Sequence, residues 1–346
     1  MQVKMGRKSS LRLKGVSSML FVSHLLFLII SYSIYLAPYI APSTFPYFGI
    51  IPIIFPILVV INFILAFFLI WKRPSYGILF FVLSIGLIFP LTKTYQYFGD
   101  NVKSSSNFKL ITYNAHYFRE EGAAHFFNQE NADVILLQEV YWRDNRFKEV
   151  QDSAFQDYYQ EKNSIIHIFS KYPIIEFKNI FSAESKSTAY ASYADIDVGN
   201  DTIRLINVYL ASMLIDKELV KGSLDTEQAE QNTKIISNKL SKGFLLHENQ
   251  VKKLIPYISQ SKHPVILAGD LNSVPNSYEY QQISYWLKDA YYHVGKSSGT
   301  TFHDFKYPLR LDYIFHTEDI LPIRIETRKD IKLSDHYPVI GYFKLP

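Results

Sequence analysis

The distribution of apolar and polar positions divides the chain in two. Residues 16–37, "VSSMLFVSHLLFLIISYSIYLA", form an uncharged apolar run, and two more follow at 47–71 and 76–92. At ~1.5 Å per residue the first two can cross a ~30 Å hydrocarbon layer, and the third sits at the short limit. The "APYIAPSTFP" after the first run is too proline-rich and aromatic for a secretory cleavage site, so a membrane helix is expected there. From Asn107 onward the texture changes to short β-type runs at 108–114, 133–140, 165–170, 190–198, 202–210, 264–272, 309–315 and 337–345. Several are apolar almost throughout, as in strands buried on both faces. The 225–259 segment lacks strand alternation and reads as helical, with a break at Gly243. The polar stretch "GDNVKSSS", 99–106, marks the join. The expected organisation is a membrane region over 1–98 and an α/β domain over 99–346.

Charge sharpens this division. The first 98 residues hold no Asp or Glu and eight Lys or Arg. Setting those eight aside leaves 28 Lys+Arg against 32 Asp+Glu after residue 98, a net charge of −4. The overall pI of 8.8 therefore belongs to the membrane part. A mildly acidic soluble part gives no electrostatic support to non-specific nucleic-acid binding. Zero cysteines exclude disulfides, thiol catalysis and Cys-type zinc sites. Five cations precede the first run, and Lys72 with Arg73 separate the second from the third. The positive-inside rule puts both groups in the cytoplasm. Three spans then place everything after Lys93 outside it, as a multi-pass protein of the inner membrane. A re-entrant third run would reverse that. The region reads as an anchor, with His24 expected at the membrane interface near a helix end.

The polar residues of the soluble part fall at strand ends. Asn114, Glu139, Tyr209, Asp270 with Asn272, and Asp335 with His336 each lie at or beside a strand terminus. Gathered on one rim, these groups make a hard-oxygen site beside a histidine. Such a site suits Mg²⁺, which stays partly hydrated and leaves room for phosphate oxygens. Singly, each motif is equally well an ordinary turn: "SDH" and "GDLN" are rich in turn residues.

Taken in order, "TYNAHYF", "LLQEV", "IFSKYPI", "INVYL", "GDLNSVPNS", "RLDYIF" and "LSDHYPV" resemble the motifs of the endonuclease/exonuclease/phosphatase superfamily, which has the DNase I-like fold. The resemblance covers about 107–346, and the membrane runs ahead of it are similar to those of bacterial membrane-anchored members. It implies a four-layer α/β sandwich, two mainly antiparallel sheets flanked by helices, behind an all-α transmembrane region. It also implies a metal-dependent phosphoesterase with Mg²⁺, or Mn²⁺ in its place. Glu139 would be the main metal ligand, with Asn114 assisting and Asp335 in the metal shell. Asp270 would activate the attacking water, Asn272 would bond the phosphate, and His336 would stabilise charge on it, with its ring oriented by Asp312.

Two departures stand out. Tyr209 occupies a place where phosphatase- and sphingomyelinase-like members carry histidine, although exonuclease III-type members carry tyrosine. Ile165, Ile166 and His167 stand where small residues are common. The expected partners are the lipid bilayer and a phosphoester, in the soluble phase or lipid-borne, with nucleic acid less favoured. The competing reading is a membrane-anchored phosphate-ligand-binding protein that has lost turnover, and a nuclease is the further alternative.

Overall fold

The computed structural model describes residues 3–346 except 183–187, 216–218, 220–225, 305–306 and 308. Asp225, the start of the expected helical segment, lies outside them. The N-terminal third is helical: α1 Val3–Tyr32, α2 Ile50–Lys72, α3 Pro74–Ile85 and α4 Ile88–Leu91. Three segments, Ser18–Tyr35, Pro46–Lys72 and Pro74–Leu91, are long and apolar enough to cross a membrane. Because α1 begins well before residue 16, His24 is not near a helix end as expected. It is fully buried and stacks on Phe80 with ring centres 4.2 Å apart. Asn62 of α2 is buried too, its amide donating to Ser31 Oγ at 2.6 Å, so side-chain polar contacts help to join the helices.

The remainder carries strands β1 Tyr95–Gln96, β2 Phe108–Asn114, β3 Val134–Gln138, β4 Tyr159–Asn163, β5 Ile166–Ser170, β6 Ile174–Phe181 and β7 Tyr190–Asp197. They continue with β8 Thr202–Tyr209, β9 Val265–Asp270, β10 Lys288–Asp289, β11 Ser297–Ser298, β12 Asp312–His316, β13 Leu321–Thr327 and β14 Val339–Lys344. Among the described residues two six-stranded sheets form, ordered β13-β14-β2-β3-β5-β4 and β10-β12-β9-β8-β7-β6, with β1 and β11 paired apart from them. Their inner faces share one apolar core that includes Leu110, Leu136, Leu205, Ile266 and Ile314. Helices α5 Ala123–Glu130 and α6 Asn145–Ala154 cover the first sheet. Helices α7 Thr226–Ser259 and α8 Tyr278–Ser284 cover the second. This is the four-layer sandwich expected, with one parallel pair in each sheet, β2–β3 and β8–β9, and antiparallel pairing elsewhere.

Strands β4, β6 and β13 had no clear signature in the sequence, and all three lie at sheet edges, where only one face needs to be apolar. The break expected at Gly243 is absent: α7 runs through it. A side chain there would collide with Met213, so this glycine serves close packing rather than termination. Nor is 99–106 a free join. β1 already pairs with β11, and the Gly99 and Asp100 amides bond the Gly295 and His293 carbonyls at 3.1 and 2.7 Å.

Candidate active site

The parallel pairs bring the chemistry together. β2, β3, β8 and β9 end on the same rim, so Asn114, Glu139, Tyr209 and Asp270 arrive there from four neighbouring strand ends. β12 runs antiparallel to β9 and begins at Asp312, directly opposite Asp270. β14 runs antiparallel to β2, so the "SDH" turn before it reaches the same rim, where Ser334 Oγ donates to the Asn114 carbonyl at 2.8 Å. Beneath the rim Gln138 and Asn207 join the two sheets by a 2.7 Å hydrogen bond between their amides.

All eight expected residues lie in one connected constellation. Tyr209 donates its hydroxyl to Glu139 Oε1 at 2.9 Å. Asn114 donates to the same oxygen at 3.0 Å and to Asp270 Oδ2 at 3.1 Å. Asp270 Oδ2 lies 3.8 Å from His336 Nε2, and His336 Nδ1 lies 2.7 Å from Asp312 Oδ2. Asn272, held at φ 45°, donates its backbone N–H to Asp270 Oδ1 at 2.7 Å. Its side-chain amide donates to the Leu210 carbonyl at 2.9 Å, which spends part of the capacity expected for phosphate. Glu139 is also in the left-handed region, φ 55°, so its carboxylate is turned to the rim by a backbone that would otherwise continue the strand.

Electrostatics set the protonation states. Burial pushes the Asp270 carboxyl up to about 7, against the pull of the His336 charge, while Asp312 pushes it the same way as burial. Burial pulls the His336 ring down, but Asp312 and then Asp270 outweigh it and raise the imidazole to about 10. The ring is therefore an imidazolium at neutral pH. Burial also pushes Asp335 up, yet its hydrogen bond from His116 and the His336 charge hold it at about 2. The Tyr209 phenol is raised far above its ordinary value by burial, then by Glu139 and Asp270, so it keeps its proton.

His116 was missed in the sequence. It stands two residues past Asn114 and its Nδ1 is 3.0 Å from Asp335 Oδ1. It opens a strained run, with His116, Tyr117 and Phe118 all at positive φ. Tyr117 stacks on Tyr141 at 4.9 Å and forms an aromatic wall near Glu139. His167 is a core residue: its Nε2 bonds the Val140 carbonyl at 3.1 Å, burial pulls it down to about 4, and it stays neutral. Ile165 and Ile166 pack beside Tyr209.

The donors fit a hard divalent cation. Four carboxylates, Glu139, Asp270, Asp312 and Asp335, gather around two imidazoles, an excess of negative charge at a mostly buried site. Both hydrogen bonds to Glu139 fall on Oε1, which leaves Oε2 for a ligand, and Asp312 Oδ1 is buried without a partner. All these donors are oxygen or imidazole nitrogen, the set that suits Mg²⁺ or Mn²⁺. Asp270, Asp312 and His336 offer ligand atoms within 4.8 Å of one another.

Residues 247–336 match the model of the endonuclease/exonuclease/phosphatase family, a stretch that includes Asp270, Asn272, Asp312, Asp335 and His336. Residues 17–95 match a domain of unknown function (DUF8431). No curated protein matches the chain. Among solved structures, D. rerio TDP2 humanized by 14 mutations is similar at 15% identity and TM-score 0.50, covering 68% of this chain and 98% of that one. D. rerio TDP2 complexed with single strand DNA product is similar at 14% identity and TM-score 0.50, with the same coverage of 68% and 98%. An endonuclease/exonuclease/phosphatase family protein from Leptotrichia buccalis has 18% identity and TM-score 0.48 over 69% of this chain and 100% of that one.

Proposed function

We propose that this chain, whose residues 247–336 match the endonuclease/exonuclease/phosphatase family model and whose fold is that of the family's solved structures, is a membrane-anchored phosphoesterase dependent on Mg²⁺ or Mn²⁺. The observation that carries the reading is the chain of contacts Glu139–Asn114–Asp270–His336–Asp312, in which a carboxylate near neutrality faces a buried imidazolium. A binding module has no need of a base and a cation 3.8 Å apart.

The phosphoryl group would lie over the rim, within reach of His336 Nε2 and of a water held by Asp270. Asp270, raised to about 7, takes the proton of a water whose oxygen forms the new bond to phosphorus. The ester P–O bond opposite breaks, and the leaving oxygen takes a proton from solvent. His336 stays protonated and donates to a phosphoryl oxygen as charge builds there. Asp312 holds the ring and its charge. Glu139, Asn114 and Asp335 would hold the metal, which when bound supplies charge neutralisation at the phosphoryl and leaving oxygens. Tyr209 is assigned to positioning: its proton is engaged by Glu139, so it fixes that carboxylate rather than protonating the leaving oxygen.

The domain docks on the ends of the spans opposite the Lys72–Arg73 turn, through Ser43, Pro90 and Lys93. With that turn in the cytoplasm, the site lies outside it. The DNA product bound by the D. rerio protein makes nucleic acid a second substrate class. The net charge of −4 after residue 98 argues against it. The test is release of phosphate or alcohol from a panel of mono- and diesters by the purified protein, with metal or with chelator. Metal-dependent release that Asp270→Asn abolishes is expected, and no turnover on any ester would overturn the reading.

A further inference from the structure

We propose that the phosphoester is carried by a lipid in the leaflet on which the domain is docked, so that the site works on headgroups at the bilayer surface. This rests on the hydrolase reading above and narrows its substrate. The ground for it is where the catalytic loops go after they leave the rim. Asn276, four residues past Asn272, donates to the carbonyl of Pro90 at the end of the third span. Arg310, two residues before Asp312, donates to the Lys93 carbonyl at 2.6 Å. Phe302 bridges to His336 and packs on its ring at 5.0 Å, and further along the same loop Tyr307 donates its hydroxyl to the Ile53 carbonyl, in the first turn of α2.

Chain length converts these contacts into distance. At up to ~3.6 Å per residue, Asn272 lies within ~14 Å of Asn276, and Asp312 within ~7 Å of Arg310. With side-chain reach added, the phosphate-facing side of the site is therefore held within roughly 20 Å of Pro90 and Lys93, where the third span ends. The headgroup zone fills the first ~5–8 Å of that interval, and a headgroup extending from it covers much of the rest.

A second observation is independent of the loops. Exposed aromatics surround the docking face: Tyr97 and Phe98, which follow the third span, Tyr285 and Trp286 at the end of α8, and Tyr292 beside the Tyr291–Thr94 hydrogen bond. Helix α8 itself packs on the Ala37–Tyr39 turn between the first two spans. Phe98 is 93% exposed and Tyr285 75%, an apolar display that suits the interfacial belt of a bilayer. The attachment is also short. Lys93 is bonded to the domain and Tyr95 already pairs in β1, so the domain is fixed at the surface rather than hung on a tether. A substrate free in solution needs no such fixture, whereas a lipid phosphate confined to a plane does.

The experiment uses the full chain in phosphatidylcholine vesicles containing either phosphatidate or phosphatidylglycerol, with Mg²⁺ or Mn²⁺. Soluble arms use glycerol 3-phosphate, glycerophosphoglycerol and bis(p-nitrophenyl) phosphate at matched bulk concentration. At least one bilayer lipid should be cleaved tenfold or more faster than its water-soluble counterpart. Tyr307→Ala should lower lipid turnover threefold or more and leave the soluble aryl ester unchanged. Soluble counterparts cleaved as fast as the lipids, or equal losses on both substrates in Tyr307→Ala, would overturn the lipid assignment and leave the hydrolase standing. Absence of cleavage of every ester with either metal would instead remove the hydrolase reading, and this inference with it.

Discussion

Replacing Asp312 by asparagine tests the electrostatic core of the site. The carboxylate sits 2.7 Å from His336 Nδ1 and is the foremost influence raising the buried ring from 6.5 to about 10. At about 1.4 kcal/mol per pH unit, that interval is a preference for the imidazolium of roughly 5 kcal/mol. Asparagine keeps the shape and can still accept from Nδ1–H, but it carries no charge, and burial continues to pull the ring down. We expect the ring to fall by at least about two pH units, roughly 3 kcal/mol, to below about 8. The raised folded value means that His336 stabilises the fold fully below 6.5, and this contribution is lost as pH rises through about 10. Asp270, raised from 3.8 to about 7, acts in the same sense at lower pH. Two measurements decide the matter: the alkaline limb of kcat/KM against pH, and the pH titration of the His336 ring signals by NMR. An alkaline limb and a ring titration that both stay near 10 in Asp312→Asn would refute the assignment of the imidazolium to this carboxylate.

Further outcomes follow from the same contacts. Wild-type activity should rise with pH as Asp270 loses its proton near 7 and fall as His336 loses its own near 10, and a profile rising steadily to pH 11 would contradict this. Tyr209→Phe removes the 2.9 Å hydrogen bond to Glu139, worth roughly 1.5–3 kcal/mol for a charged acceptor, so metal affinity measured by calorimetry should weaken. Tyr209→His should be tolerated, and a complete loss of turnover in that variant would count against a positioning role. His116→Ala frees Asp335 from its 3.0 Å partner and should raise the pH at which that carboxylate protonates, followed by NMR; an unchanged midpoint would show that the pair does not hold it. A reporter active only after export should give signal when fused behind Lys93 and none within "WKRPS", and the reverse pattern would move the domain to the cytoplasm.

What was legible in the sequence is what burial writes into it. The central strands β2, β3, β8 and β9 are apolar on both faces and stand out as runs, and the polar residues ending them mark the rim. Edge strands β4, β6 and β13 leave a weaker trace because one face meets solvent or loops. His116 was invisible for another reason: it lies in an irregular turn after the strand, and only the return of the 334–336 turn to the Asn114 carbonyl brings Asp335 to it. Gly243 misled because a glycine that ends a helix and one that admits a neighbour's side chain look alike until Met213 is placed. The partner of the Tyr209 hydroxyl was likewise unreadable, since 70 residues separate it from Glu139.

The most direct test of the account is hydrolysis by the purified full-length protein and its Asp270→Asn variant, side by side, with Mg²⁺, with Mn²⁺ and with chelator. The account predicts phosphoester cleavage that requires metal in the wild type and is lost in the variant, with the variant still folded by circular dichroism. Equal rates in the two proteins, or cleavage that persists in chelator, would contradict it.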